Sequence, residues 1–247
     1  MNLDHIKQKL SNFMWGVPSQ GESALCATVK FLTMCKMRSV FNFLCIKLGE
    51  RSVEYEWILR NVGRAKRNSK LLDVGCGYSR LDCVFYYLGY DTYAIDVNKP
   101  PYVYKQIKFI RGDIVRSSFK NNFFDIIVAI STLEHIGLGA YKDPIYGDGD
   151  LKAVEEMKRI LKNHGLLLIT GPFASKPIMT WHRFYDPRRL ELLKSGFLVL
   201  KEDYYINKRK WIKVNMSEAI EYVNNYGPFN PIGGPNAVFC MKLQKEG

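Results

Sequence analysis

The sequence predicts a doubly wound α/β fold, with a mostly parallel seven-stranded sheet and a helical N-terminal extension over residues 1–68. From Ser69 onward, apolar runs of five to seven residues alternate with amphipathic stretches, as parallel strands alternate with crossover helices. The first run ends in a glycine-rich turn, Asp73-Val74-Gly75-Cys76-Gly77, and acidic residues close the second run and follow the third.

The strand-like runs are Lys70 to Val74, Tyr90 to Asp96, Ile107 to Arg111, Phe124 to Ile130 and Leu166 to Thr170, with two more at Phe197 to Ile206 and Ala237 to Leu243. Between the fourth and fifth lies Asp150 to Leu161, whose Leu151, Val154, Met157, Ile160 and Leu161 recur at helical spacing. Asp150 is placed to cap that helix and Asn163-His164-Gly165 to end it. Asp186 caps a second helix with Pro187 in its first position, and a third is expected from Ser217 to Val223. Upstream, residues 3–14, 22–48 and 51–62 have helical character. The domain is therefore expected to run over 69–247, with an insertion near 207–236.

The 247 residues suffice for one substantial core but not for two full-sized domains. Apolar and charged fractions of 47% and 24% are those of an ordinary globular chain. Residues 1–70 hold 12 Lys and Arg against 5 Asp and Glu, so most of the formal charge of +12 precedes the first glycine-rich turn. Such a surface attracts anions: RNA, an anionic membrane surface in peripheral contact, or a phosphorylated small molecule. Six cysteines without C-x-x-C spacing argue against a zinc site or disulfide scaffold, and fit a reducing, cytoplasmic setting. The apolar stretch from Ala24 to Leu48 is interrupted by Lys30, Lys36, Arg38 and Lys47, which a spanning helix would not tolerate. It is expected either to cover the cofactor site or to lie on an anionic membrane.

In open α/β sheets ligands bind beyond the carboxyl ends of the strands, where backbone amides and helix N-termini point into a crevice. Gly75 and Gly77 permit close backbone approach there. Asp96 stands 19 residues beyond Gly77, where a carboxylate can accept from both ribose hydroxyls. Asp113 follows the third strand, in reach of an adenine amino group, and the fourth strand opens onto Ser131-Thr132-Leu133-Glu134-His135.

These residues resemble the class I S-adenosylmethionine-dependent methyltransferases, whose glycine-rich signature matches Asp73-x-Gly75-x-Gly77. The resemblance runs over roughly 69–206 and departs at Ser79, where many members carry a third glycine. It implies a Rossmann-like methyltransferase sheet and S-adenosyl-L-methionine as cofactor, held by Asp73, Gly75, Cys76, Gly77, Asp96, Val97, Asp113, Ile114 and Ser131. A nicotinamide-binding Rossmann domain would need a small residue at Arg80. The stretch from Ser131 to Gly139, with Tyr141, Asp143 and Gly147 to Asp150, and His182-Arg183-x-Tyr185, is similar to an incompletely characterised methyltransferase group associated with polysaccharide biosynthesis. The implied reaction is methylation of a hydroxyl on a sugar or glycan intermediate. An RNA methyltransferase and a non-catalytic scaffold with the same fold are the competing readings.

A hydroxyl acceptor calls for a general base, and imidazole is suited to that near neutral pH. His135 and His182 are the catalytic candidates; each has the competing reading of a packed structural side chain. Glu134, Arg183 and Tyr185 are the candidate acceptor contacts. Ser131 stands where a related metal-binding pattern carries glutamate, so no metal is expected. Asp143, Asp148 and Asp150 lack the bidentate Glu of an EF-hand. His164 has no expected role. Lys208 to Lys213, with Trp211 among the cations, reads either as a nucleic-acid contact or as a solvated hairpin.

Overall fold

Strands buried on both faces form the centre of the molecule, and their alternating side chains determine which helices pack where. In the computed structural model, residues 49–247 are described except 78, 80, 101, 102, 142, 143 and 232. The helices expected before residue 49, with the basic apolar stretch, and the readings of Arg80 and Asp143 lie outside the described residues. Strands β1 (Lys70–Val74), β2 (Asp91–Asp96), β3 (Lys108–Arg111), β4 (Phe124–Ile130) and β5 (Leu161–Pro172) pair in parallel. Two short strands, β6 (Ile178–Met179) and β7 (Arg183–Phe184), form a separate antiparallel hairpin. Strands β8 (Phe197–Asn207), β9 (Trp211–Val214) and β10 (Ala237–Lys245) complete the main sheet. Its order is β3-β2-β1-β4-β5-β10-β8-β9, with β10 antiparallel to both neighbours.

The two-residue period of a strand explains the double winding. In β4, Ile126, Val128 and Ile130 join one core with α1 (Arg51–Val62) and α2 (Leu81–Tyr87). Ile127 and Ala129 face the opposite core, against α3 (Gly149–Ile160), α4 (Pro187–Leu193) and α5 (Met216–Tyr226). The order of strand addition reverses between the parallel strands β1 and β4, so a crevice opens beyond their carboxyl ends.

Three details differ from expectation. The sheet has eight strands, because the Lys208 to Lys210 segment is a tight turn that returns the chain onto β8. Asn207 pairs with Trp211 and Tyr204 with Val214, while Arg209 sits at φ 62°. Four residues rich in β-formers suffice for an edge strand, and the cations around them obscured it. Asp150 does not cap α3: Asp148 is in the cap position, without a side-chain cap bond, and Asp150 is fully buried in the first turn. Finally, α3 stops at Ile160, and Leu161 already pairs with Phe124 before a bulge containing His164 at φ 60°. The other caps are as expected or stronger: Asp186 accepts from the Arg189 amide, and Asn215 and Glu218 form a capping box on α5.

Helix α1 is fixed to the sheet by a buried bond from Trp57 Nε1 to Asp203 Oδ2 of β8, 2.7 Å long. Lys242 Nζ donates to the Asn61 carbonyl at the helix's other end. Trp57→Phe keeps the ring packing but removes that donor, and is expected to lower unfolding free energy by about 1–2 kcal/mol. Urea denaturation with an unchanged m-value would report it; unaltered stability would show the bond to be energetically idle.

Candidate cofactor and acceptor site

The crevice at the β1/β4 reversal is a cleft of about 590 Å³. Asp73, Gly75, Cys76, Gly77, Asp96, Val97, Asp113, Ile114 and Ser131 all line it. Four different strand ends supply these residues, and local geometry explains each placement. Gly75 leaves β1 at φ 67°, and its amide donates to the Ile95 carbonyl at 2.8 Å. A Cβ on Gly75 would come within 2.5 Å of Thr132 Oγ1, so a side chain is excluded by contact as well as by conformation. Gly77, at φ 47°, turns its amide onto Asp96 Oδ2 at 3.0 Å, and the Asn98 amide donates to Asp96 Oδ1 at 2.8 Å. Two backbone donors thus orient the Asp96 carboxylate at the end of β2.

Asp113 uses Oδ1 to accept from the Val115 amide at 2.9 Å, while its Oδ2 is buried without a hydrogen-bond partner. Asp73 Oδ2 is likewise buried and unpaired. Burial, with the nearby charges of Asp82 and Asp96, holds the Asp73 carboxyl well above the usual carboxylate range. Unpaired buried acceptors are rare and costly in native proteins. Here both belong to residues that line one cleft, where a ligand with an amino group at one end and an ammonium at the other offers the missing donors. This set of acceptors therefore fits S-adenosylmethionine, whose adenine amino and amino-acid ammonium groups are donors.

Helix α1 supplies residues not anticipated as site residues. Arg51 and Tyr55 line the cleft. Glu54 is fully buried behind them, accepting from Arg51 Nη1 at 3.0 Å and from Ser131 Oγ at 2.6 Å. Ser131 itself holds φ 40°, unusual for a residue with a side chain, and is fixed by its amide's bond to the Thr170 carbonyl. The signal was present: Arg51, Glu54 and Tyr55 share a helical face with Ile58, so an ion-pairing group occupies what should be an apolar stripe.

Glu134 and His135 lie on a short 3-10 turn, Leu133–His135, rather than at the start of a helix. Gly137 and Gly139, both at positive φ, divert the chain before α3. His135 lines the cleft, with Nε2 4.0 Å from Glu134 Oε1. Glu134 is buried beneath the surface, and burial pushes its carboxyl up to about 8, against the pull of Arg51 and with the charge of Glu54 adding to the rise. His182 does not line the cleft. It sits behind, its ring centroid 5.8 Å from that of His135 and 4.1 Å from that of Trp181, and burial lowers its pKa.

Arg183 and Tyr185, expected as acceptor contacts, are not among the residues that line the cleft. Both side chains are interior, 1% and 0% exposed. Arg183 donates to the carbonyls of Leu133 (3.2 Å) and Ile136 (3.5 Å) and pairs with Asp150 at 3.4 Å. Beyond the hairpin tip the chain turns inward, so these residues support the His135 turn from behind. Glu134, also expected as an acceptor contact, is interior for the same reason. The residues that do reach the surface beside His135 are Trp181, Tyr141 and, farther out, Phe229. The lysine-rich turn lies at the far edge of the sheet, where Trp211 Nε1 donates to the Gly49 carbonyl.

A family model described as "Caenorhabditis protein of unknown function, DUF268" matches residues 106–225. An uncharacterised protein of Methanocaldococcus jannaschii is 32% identical over 108 residues, covering 42% of this chain and 41% of that protein. The chain's match thus spans well under two thirds of that relative's length. A ubiquinone biosynthesis O-methyltransferase of Pelagibacter ubique is 21% identical over 212 residues, 75% of this chain and 86% of that one. Among solved structures, the 1,6-didemethyltoxoflavin-N1-methyltransferase of Burkholderia thailandensis, with bound 1,6-didemethyltoxoflavin and S-adenosylhomocysteine, superposes with a TM-score of 0.54. It is 16% identical, covering 94% of this chain and 92% of that structure. With the strand order and the cleft at its reversal, these likenesses give the chain the fold of the class I S-adenosylmethionine-dependent methyltransferases.

Proposed function

We propose that the chain is an S-adenosylmethionine-dependent methyltransferase acting on a hydroxyl of a small acceptor, with a sugar or glycan intermediate as the acceptor class its sequence resemblance favours. The observation that carries this reading is the convergence of Asp73, Asp96 and Asp113 from three strand ends on one cleft, two of them with an unpaired buried oxygen. Asp96 keeps free lone pairs for ribose hydroxyls, Asp113 Oδ2 suits the adenine amino group and Asp73 the ammonium. The similar Pelagibacter ubique protein is named as an O-methyltransferase, in keeping with a hydroxyl acceptor.

The cofactor would supply a methyl group activated on a positively charged sulfur. The protein's part is to hold the acceptor in line and to receive a proton. His135 is the imidazole at the cleft surface and would receive the proton of the acceptor hydroxyl. Glu134 Oε1, 4.0 Å from Nε2, packs beside that imidazole. His182, whose pKa burial lowers, is one ring removed from the cleft and packs against this group.

Calorimetry is expected to show S-adenosylmethionine binding by the wild type and an affinity about 10- to 100-fold lower for Asp96→Ala. Absence of wild-type binding, or preference for a nicotinamide dinucleotide, would overturn the reading. With an acceptor in hand, His135→Ala is expected to reduce kcat by about 10²-fold or more with cofactor affinity retained, and His182→Ala to cost less. Wild-type turnover in His135→Ala would remove it from the mechanism.

The raised pKa of Asp73 gives a second test. A carboxyl that binds its proton more tightly folded than unfolded favours folding at low pH, and that contribution is lost as pH rises through the folded value. Asp73→Asn is therefore expected to be more stable than wild type by about 1 kcal/mol or more once Asp73 ionises, the gap widening from about pH 4 upward. Cofactor binding, which requires the ionised form, should release a proton in the wild type and none in Asp73→Asn. Calorimetry in buffers of different ionisation enthalpy measures this; equal proton release in both proteins would exclude Asp73 as the ammonium's partner.

A further inference from the structure

A continuous row of aromatic rings leads from the cleft to the protein surface. Tyr141 meets His135 edge to face at 5.1 Å, and His135 stacks on Trp181 at 5.1 Å with only 23° between planes. Trp181 meets His182 at 4.1 Å, and His182 continues through Phe184 at 4.9 Å to Phe229, which packs on Phe184 at 4.8 Å. His135 and Tyr141 also line the cofactor cleft, so one end of the row is at the place of reaction. Despite these contacts the indole of Trp181 remains 60% exposed, Tyr141 47% and Phe229 38%. Exposed aromatic surface concentrated at one spot marks a binding site more often than chance packing.

The row is held in place by buried polar bonds. Trp181 occupies the tip of the β6–β7 hairpin, closed by the Thr180 amide on the His182 carbonyl at 2.9 Å. Arg183, in the next strand, grips the carbonyls of Leu133 and Ile136 on either side of His135. The same guanidinium therefore fixes the indole against the imidazole. At the outer end, buried Asn236 donates to the carbonyls of Tyr226, Gly227 and Phe229, which fixes the loop carrying Phe229. Side chains this well supported lose little conformational freedom when a ligand packs on them.

We infer that this aromatic wall, from His135 and Trp181 out to Phe229, is the acceptor subsite, and that it takes an uncharged six-membered ring lying face-on to the Trp181 indole. The inference rests on the methyltransferase reading and specifies its acceptor. Ring faces offer the apolar contact that indole favours, whether from the C–H face of a pyranose or from a planar aromatic. Arg183, the cation of the hairpin that carries Trp181, is turned inward and bonded to carbonyls, so it offers nothing to a polynucleotide backbone. Contact with the ring places its hydroxyl at His135, where the proton must leave.

The test uses the full chain saturated with S-adenosylhomocysteine and three probes: catechol, methyl α-D-glucopyranoside and an oligouridylate. Saturation-transfer NMR is expected to show binding of at least one ring probe, weakened about tenfold in Trp181→Ala and also reduced in Phe229→Ala, with S-adenosylhomocysteine affinity unchanged. Both side chains are exposed enough for the variants to fold. Catechol binding alone identifies a planar acceptor, glycoside binding alone a pyranose, and either supports the wall. Failure of both rings to bind, ring binding undiminished in both variants, or displacement of the rings by oligouridylate overturns the inference while leaving cofactor binding intact. Failure of the wild type to bind S-adenosylhomocysteine would instead remove the methyltransferase reading, and this inference with it.

Discussion

The approach of Gly75 to Thr132 is the constraint on which the site depends. Thr132 Oγ1 lies 3.1 Å from both the Val74 and the Ile130 carbonyls, so one hydroxyl bridges the last residues of β1 and β4. The space is available because residue 75 has no side chain and can hold φ 67°. The turn that follows points the Gly77 amide at Asp96, and that bond orients the carboxylate at the end of β2. The same bridge settles where β4 ends, hence where Ser131 and the His135 turn project. Two strands that the topology drives apart are thus joined at the one level where a ligand must be enclosed.

Much of this was legible in the sequence because it depends on local rules. Strands buried on both faces are short apolar runs, and the residues at their carboxyl ends meet wherever the order of a parallel sheet reverses. Asp73, Gly75, Asp96 and Asp113 could therefore be assigned to one crevice before any coordinates. Hairpin geometry followed no such rule. Trp181, His182, Arg183 and Tyr185 are near neighbours in sequence, yet the tip at Trp181 is 60% exposed while Tyr185 is fully buried. Adjacency to the fifth strand pointed to His182, Arg183 and Tyr185 as acceptor residues, but the direction of each side chain is set by a two-residue ladder and by the carbonyls that Arg183 satisfies. The eighth strand was hidden for a similar reason: a ladder of four residues has too short a period to stand out among lysines.

Helix α1 shows a different limit. Its pattern reads as an ordinary covering helix, and Trp57, Ile58 and Val62 do pack on the sheet. Its first turn serves another purpose, since Glu54 joins Arg51 to the Ser131 hydroxyl across 77 residues of sequence. A fully buried carboxylate is tolerated only where donors surround it, and here they come from the helix and from the end of β4. The cofactor cleft therefore has a wall outside the βαβ repeat. Any change in the seating of α1 would be felt first at Ser131, whose backbone is already strained.

The ion cluster behind the aromatic row, whose Asp150 and Arg183 are buried, follows the same logic. Asp150 accepts from Arg189 at 2.6 Å and lies 3.4 Å from Arg183, with Asp148 joining through Arg189 at 3.2 Å. Buried ion pairs seldom add net stability over an apolar replacement of the same shape, because desolvation offsets most of the attraction. They do penalise alternative arrangements, since a displaced partner leaves a charge uncompensated in the interior. This cluster connects the first turn of α3, the start of α4, strand β7 and, through Arg183, the turn bearing His135. The exposed rings of the row, Trp181, Tyr141 and Phe229, gain little from hydrophobic burial that would hold the row in one shape. Its register against the cofactor cleft must come from beneath, and the four charged residues there supply it.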